Sequence, residues 1–483
     1  MNNTRKIQQI EYIRNMTGWV YSELPWFSEK DAQRASRQRD KLLQELSGWI
    51  KYGCEGSKLY SGSISPGCLI CGQGGWICNF INGLCTRNCF FCPQNRQIKK
   101  ERDPLADGLI LNKPLDQVNF IKLFRAKGVG FSGGEPLLVL DRLLSYIQAI
   151  RKEFGSALYL WMYTNGDLVS RPVLRKLSAA GLDEIRFNLS ARKYDLAPAI
   201  LAKEYISTVT VEIPAIPEDF KRVKDLIVEM EQEGIDFLNL HELHANEHNY
   251  RSLCQRKYHF LHSPNTPIFE SEICALKLLI FARKQAIQLP INYCSSVYKE
   301  RFHASNYRKR LNRLRLKSFE EITGAGYIRL LQVKDSLNQI KKMIRHFNKI
   351  GCPAGLWEID QDERGIAIHS DMLDHLDWSS AKVAISYLNV EIGQRNPTDG
   401  MAEENLVYKK SVIYTSDNLS QILIKSWKKI YLEKNDAKDV LASLYRDYLV
   451  EKNDDFGKLS NGSRELKKVS VWEELESGLP QIF

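Results

Sequence analysis

The chain has 483 residues, is 43% hydrophobic and 26% charged, and carries a formal net charge of +10, close to globular averages in composition. That length suits one large domain with appendages or two to three smaller ones, and no window approaches the ~18 uninterrupted apolar residues of a membrane span. The start, MNNTRKIQQIEYIRN, lacks the apolar core of a signal peptide. The expected location is therefore cytoplasmic, where eleven cysteines favour metal ligands or reactive thiols over disulfides.

In chain order, residues 1–60 read as a helical segment, with SEKDAQRASRQRDKLLQELSGWI as its main helix. The aromatic residues ahead of it, Trp19, Tyr21, Trp26 and Phe27, suit packing. From about residue 74 to 300, short β-rich runs alternate with amphipathic helical patterns. The strand candidates are WICNFIN, GVGFSG, ALYLWMYTN, EIRFNLS, TVTVEIPAI, DFLNLHEL and PINYCSS. Such alternation predicts right-handed βαβ units and a parallel sheet. Repeated six or seven times, it predicts an α/β fold, a partial or full (β/α) TIM-type barrel, with functional groups gathered at the C-terminal strand ends.

Chemistry-bearing residues do fall at those ends. The first strand leads into Cys85, Cys89 and Cys92, the second into SGGEP with Gly133, Gly134 and Glu135, the third into Thr164 and Asn165, and the fourth into Asn188 and Ser190. The fifth carries Ile213, the sixth leads into HELHANEHN, and the seventh ends at Cys294. After them, YKERFHASNYRKRLNRLRLK reads as a helix with a strongly basic face, a solvated surface or a docking site for an acidic partner. Residues 319–483 mix helix and strand, and SDNLSQILIKSWKKIYLEKNDAKDVLASLYRDYL reads as a helical pair. The expected domains are a helical segment 1–60, a barrel with a cysteine-rich entry 61–318, and a C-terminal accessory domain 319–483 that binds substrate or partner.

The pattern C-x3-C-x2-C supplies three thiolates, whereas structural zinc takes four protein ligands and a [4Fe–4S] cube usually takes four cysteines. Either the fourth ligand comes from elsewhere, or one iron is left open to something that is not protein. Joined to G-G-E-P after a second strand, the pattern resembles the radical S-adenosylmethionine (SAM) superfamily, and over about residues 60–315 it is similar to archaeal-type proteins related to pyruvate formate-lyase activating enzyme. More distantly it resembles the methanogen protein-arginine C-methyltransferase. The resemblance implies that Cys85, Cys89 and Cys92 hold three irons of a [4Fe–4S] cluster whose fourth iron is chelated by SAM. One electron then cleaves SAM to a 5′-deoxyadenosyl radical that abstracts hydrogen from the substrate.

By the same resemblance, Phe91 lies beside the adenine, and Gly133, Gly134 and Glu135 receive the SAM amino group. Thr164 and Asn165 face the methionine moiety or the adjacent pocket, Asn188 and Ser190 contact the ribose and carboxylate, and Ile213 with Pro214 covers the adenine. The resemblance also implies an electron donor of flavodoxin or ferredoxin type. Cys68 and Cys71 form a C-x2-C knuckle before the first strand. With Cys294 they are the candidate ligands of a second iron centre or auxiliary cluster, for which Cys54, Cys78 or Cys352 is the fourth thiolate. In HELHANEHN, strand alternation suggests that Glu242 and His244 face the cavity as substrate-orienting or proton-handling groups, the catalytic candidates. The seven-cysteine extension of many peptide-modifying relatives and the D-x-H-x-x-G signature of cobalamin domains are both absent from the sequence.

Three functions remain open at this stage. The favoured one is a radical SAM enzyme acting on a residue of a peptide or protein, by backbone excision, C-methylation, epimerisation or crosslinking, with or without a separate peptide-recognition protein. The second is radical modification of RNA or a phosphorylated small molecule. The third is a non-enzymatic metal-binding scaffold, which leaves G-G-E-P unexplained.

Overall fold

A computed structural model describes residues 3–483 except 19, 95–101, 108, 264, 360–364, 377–381, 395–410, 415–418, 433–472 and 474–477. The chain forms two compact units. The first comprises residues 1–304, 414–418 and 476–483, and the second residues 305–413 and 419–475.

The first unit is built on one sheet with eleven strands among the described residues. In chain order they are β1 (Lys51–Gly53), β2 (Lys58–Tyr60), β3 (Trp76–Asn82), β4 (Leu105–Ala106), β5 (Leu109–Ile110), β6 (Gly128–Gly133), β7 (Tyr159–Thr164), β8 (Glu184–Phe187), β9 (Thr208–Pro214), β10 (Phe237–His241) and β11 (Ile291–Cys294). The seven longer strands pair in parallel in the order β11-β10-β9-β8-β7-β6-β3, matching all seven expected runs. Parallel neighbours need crossovers, and amphipathic helices such as Leu140–Phe154 and Phe220–Gln232 supply them. Two short antiparallel hairpins end the order: β4–β5 beside β3, and β1–β2 beside β11 with Lys58 opposite Cys294. The barrel is thus a partial one.

Alternation along the strands separates two faces. Ile185, Phe187, Val209, Val211, Leu238, Leu240 and Ile291 are fully buried toward the helices. The opposite, interior face of the same strands carries Cys294 and also Glu184, Arg186, Thr210, Glu212, Asn239, His241 and Asn292, these last seven joined in one hydrogen-bonded network. Both faces are enclosed, one by apolar packing and the other by polar pairing.

The N-terminal part is integral to this unit. Helix Glu29–Leu46, capped by Ser28 accepting from the Asp31 N–H, sends Arg39 to both carboxylate oxygens of Glu272 on helix Phe269–Lys284. Residues 51–60, expected within a helical segment, form the β1–β2 hairpin instead. Tyr21, Trp26 and Phe27 pack against His262, Phe260 and Phe269, as expected of a packing group; Trp19 lies outside the described residues.

The second unit is an antiparallel sheet covered by a helix. Strands β12 (Glu321–Ile322), β13 (Ile328–Lys334), β14 (Trp357–Ile359), β15 (Gly365–Ile368), β16 (Lys382–Gln394), β17 (Ser411–Tyr414) and β18 (Leu419–Leu432) form it. Helix Leu337–Lys349 packs Ile340, Met343 and Phe347 against Leu331, Val333, Ile366 and Ile385. The expected helical pair is corrected here: its first half is β18, which runs antiparallel along β16 from Leu432 opposite Val383 to Ser420 opposite Gln394. The segment ILIKSWKKIYL is rich in strand-favouring residues, and a long partner strand satisfies its backbone. Residues 433–449, the second half, lie outside the described residues.

The basic stretch 298–317 also departs from a free docking face. It begins in a π-helical turn, Lys299–Ala304, and continues as helix Ser305–Arg313. Arg301 donates to the Gly478 carbonyl, Arg308 to that of Ala325, and Lys317 pairs with Glu358. Lys309, Arg310 and Arg315 are engaged too.

Candidate active site

The three-cysteine loop follows β3, and its backbone is fixed by strand ends on either side. The Gly134 N–H donates to the Asn82 carbonyl at 2.8 Å and the Glu135 N–H to that of Leu84 at 2.7 Å. This approach explains the paired glycines. A Cβ at Gly133, whose φ is +118°, would lie 2.1 Å from the Asn82 oxygen, and one at Gly134 would lie 1.9 Å from the Leu84 oxygen.

Glu135 is fully buried. Its Oε1 accepts from Thr164 Oγ1 at 2.9 Å and from the Leu137 N–H, and its Oε2 from the Asn165 N–H at 2.8 Å. The expectation sets this carboxylate against the SAM ammonium; these three contacts fix its position at the strand ends. Its side chain ties the end of β6 to the end of β7, and burial pushes its pKa up from the ordinary carboxylate value.

The loop is also fastened from β7. Asn165 Nδ2 donates to Thr86 Oγ1 at 2.8 Å and lies 3.7 Å from Cys85 Sγ. Asp167 takes a bidentate pair from Arg87, both contacts at 2.6 Å, and also accepts from Thr86 Oγ1 and Arg192 Nη1. Those donors, the Arg87 hydrogen bonds foremost, hold Asp167 at about 2. On the far side Asn249 Nδ2 donates to the Phe91 carbonyl and Asn246 Nδ2 to that of Pro93. Thr86, Arg87, Asp167, Asn246 and Asn249 were missed by sequence reasoning; their signal was proximity in sequence to the cysteines or to the strand ends, which does not identify bonding partners.

Cys85 is exposed, Cys89 and Cys92 half-buried. Phe91 packs on the apolar cluster of Ile216, Leu243 and Tyr250. Asn188, next after β8, donates its N–H to the Thr164 carbonyl and accepts from Ser190 Oγ at 2.5 Å. Ile213 is buried on the same strand face as Val209 and Val211.

The two catalytic candidates separate. Glu242 is turned away from the interior, a correction: its Oε2 accepts from the Ser296 N–H at 2.7 Å, and Glu272 and Arg39 on the helix layer are its charged neighbours. Burial, reinforced by Glu272, pushes Glu242 up to about 8. The strand runs one residue out of the expected phase, so His241 faces the interior, with Nε2 3.0 Å from Glu212 Oε1. His244 stays on the interior side, where burial and Lys299 push it down to about 3.

Cys68, Cys71 and Cys294 come into electrostatic range of one another, and Cys68 Sγ accepts from Asn239 Nδ2 at 3.2 Å. Burial pushes Cys71 up to about 12. Among the described residues no three His, Cys, Asp or Glu side chains already meet as a metal site, whether here or in the Cys85 loop. The two sets differ in access, since Cys68 and Cys294 are buried. The open thiols of the Cys85 loop fit an incoming cluster.

Residues 80–213, which hold this whole arrangement up to β9, match the sequence profile of the Radical SAM superfamily. A protein of Methanocaldococcus jannaschii, provisionally named a glycyl-radical enzyme activating enzyme, is 32% identical over 297 residues, 58% of this chain and 76% of that protein. The chain belongs to the radical SAM superfamily. As a radical SAM protein it is an enzyme, with a [4Fe–4S] cluster and SAM as cofactors. Among solved structures, SuiB of Streptococcus suis bound to its precursor peptide SuiA aligns over 61% of this chain and 63% of its own, at 12% identity and a TM-score of 0.36. For anSMEcpe with AdoMet bound the values are 34%, 50%, 17% and 0.27, so the chain spans half the length of that protein. No described helix is long and apolar enough to cross a membrane.

Proposed function

We propose that this radical SAM enzyme removes a hydrogen atom from a residue of a peptide or protein. The observation that carries this reading is the extent of the similarity to the archaeal protein, which covers three quarters of that relative, 76%, and whose name denotes action on another enzyme. Cys85, Cys89 and Cys92 would hold the cluster, which when bound supplies the electron for SAM cleavage. The Gly133–Gly134 backbone, Asn188 and Ser190 would orient SAM at the strand ends. Burial and the nearby Lys299 keep the His244 ring neutral, so it would orient substrate by hydrogen bonding rather than take up a proton. A flavodoxin or ferredoxin would deliver the electron, and residues 319–483 would serve substrate or partner binding. The engaged arginines of the basic stretch give the RNA alternative little support.

The test is anaerobic reconstitution with SAM and a reductant, followed by mass spectrometry of 5′-deoxyadenosine and of candidate polypeptides. Polypeptide-dependent deoxyadenosine and a mass change in that polypeptide are expected. Stimulation by RNA alone, weakening steeply with salt, would overturn the polypeptide reading.

A further inference from the structure

Inside the barrel, on the side of β2 and β11, several hydrogen-bond donors lack acceptors. Lys58 on β2 is 3% exposed, and its Nζ lies over the Tyr298 ring, 3.9 Å from the centroid. No carboxylate pairs with it among the described residues. Tyr298 is also buried, and its hydroxyl has no hydrogen-bond partner among the described residues. Lys299, the half-buried first residue of the π-helical turn, reaches the His241 Nδ1 at 3.4 Å and pairs with no carboxylate among the described residues. The two lysines share Cys294 and His303 as electrostatic neighbours, so their ammonium groups act on one region.

The nearby acids are already committed. Arg186 pairs with both Glu184 and Glu212, and Glu212 also takes His241 and Asn239. Asp107, beside Cys78, has a partner of its own. Of the five charges Arg186, Lys58, Lys299, Glu184 and Glu212, three are positive and two negative, leaving one positive in excess. A buried ammonium without a counter-charge is unfavourable, and an unpaired buried hydroxyl adds to the same demand. One monoanion with oxygen acceptors would satisfy the lysines and the hydroxyl together.

We propose that Lys58, Lys299 and Tyr298 form a subsite for a single carboxylate group of the substrate within the barrel. Its assignment to substrate rests on the hydrogen-abstraction reading above, while the anion site itself does not. The carboxylate would be an acidic side chain or a chain terminus of the polypeptide, held beside the end of β11, where Lys58 lies opposite Cys294. Lysine suits such a role as a compact point charge.

Crystals of the anaerobically purified holoprotein, soaked in bromide, test the site by anomalous scattering, and acetate titration measures its affinity. A bromide peak beside Lys58 Nζ and Tyr298 Oη is expected, absent in Lys58→Met. Acetate binding should weaken about tenfold or more in Lys58→Met and less in Tyr298→Phe, in keeping with charged bonds being the stronger. Lys58→Met should also melt at a higher temperature than wild type, because an unpaired buried charge is removed; a lower melting temperature would overturn the unpaired-charge argument. Absence of a peak, tighter binding of inorganic phosphate than acetate, or a metal held by Cys68, Cys71 and Cys294 would overturn the carboxylate site. Bromide binding without any deoxyadenosine formation would support the anion site and overturn the hydrogen-abstraction reading.

Discussion

Arg87, two residues past the first cluster cysteine, grips Asp167 with two hydrogen bonds of 2.6 Å. The pair ties the cysteine loop to the end of the third parallel strand, β7. Replacing Asp167 by alanine frees Arg87, Thr86 and Arg192 at once. Because residues that orient metal ligands typically matter about 10- to 100-fold, deoxyadenosine formation should fall by that order, with iron content reduced in parallel. Normal iron and turnover in Asp167→Ala would show that the loop holds itself.

The same pair predicts a pH response. Asp167 is depressed to about 2 against an unfolded value of ~3.9, so its contribution is complete above the unfolded value and is lost as pH falls toward 2. Melting curves of wild type and Asp167→Asn should diverge above about pH 4 and converge in stronger acid.

Glu242 behaves with the opposite sign. Its pKa is raised to about 8, so the folded state binds a proton that the unfolded state has already released above ~4.3. Stability should therefore decline as pH rises from that value toward 8 and level off beyond it. Glu242→Gln should lose this decline while still forming deoxyadenosine, since the side chain faces the helix layer. A variant that melts normally but no longer cleaves SAM would return Glu242 to the catalytic group.

Gly134→Ala would set a methyl group against the Leu84 carbonyl. The backbone must shift, at a destabilisation on the order of 1–3 kcal/mol by analogy with overpacked interiors. A lowered melting temperature and poor iron retention are expected together, read by calorimetry and iron analysis.

The triple change Cys85→Ala, Cys89→Ala and Cys92→Ala should leave the protein free of iron. Residual iron with a distinct electron paramagnetic resonance signal would instead establish a second centre at Cys68, Cys71 and Cys294.

Much of this was legible from local pattern. Seven parallel strands, the cysteine triad and G-G-E-P at neighbouring strand ends all follow from periodicity and spacing. Orientation was less legible. The expectation for Glu242 and His244 assumed unbroken alternation beyond the sixth strand, but β10 ends at His241, so the phase is fixed by which of these residues meets Glu212. Two of the three partners of Glu135 lie 29 and 30 positions away, a distance that no short motif encodes. In β18 the residues are compatible with a helix, and only pairing with β16 decides the matter. Lys58 and Lys299, 241 positions apart by their numbering, needed the fold to bring them to one region.

The glycine contact between the end of β6 and the cysteine loop has a consequence for maturation. Among the described residues, the loop is tied to the rest of the unit by Asn82 and Leu84 to the glycine motif, Thr86 and Arg87 to Asp167, and Phe91 and Pro93 to the two asparagines. Their partners come from segments spread along the chain as far as Asn249, so the thiols reach their final places only after most of the parallel strands have assembled. Iron delivery is then expected to follow strand assembly, and a cluster lost to oxygen should be restored by iron and sulfide added to the folded chain, without a denaturation step.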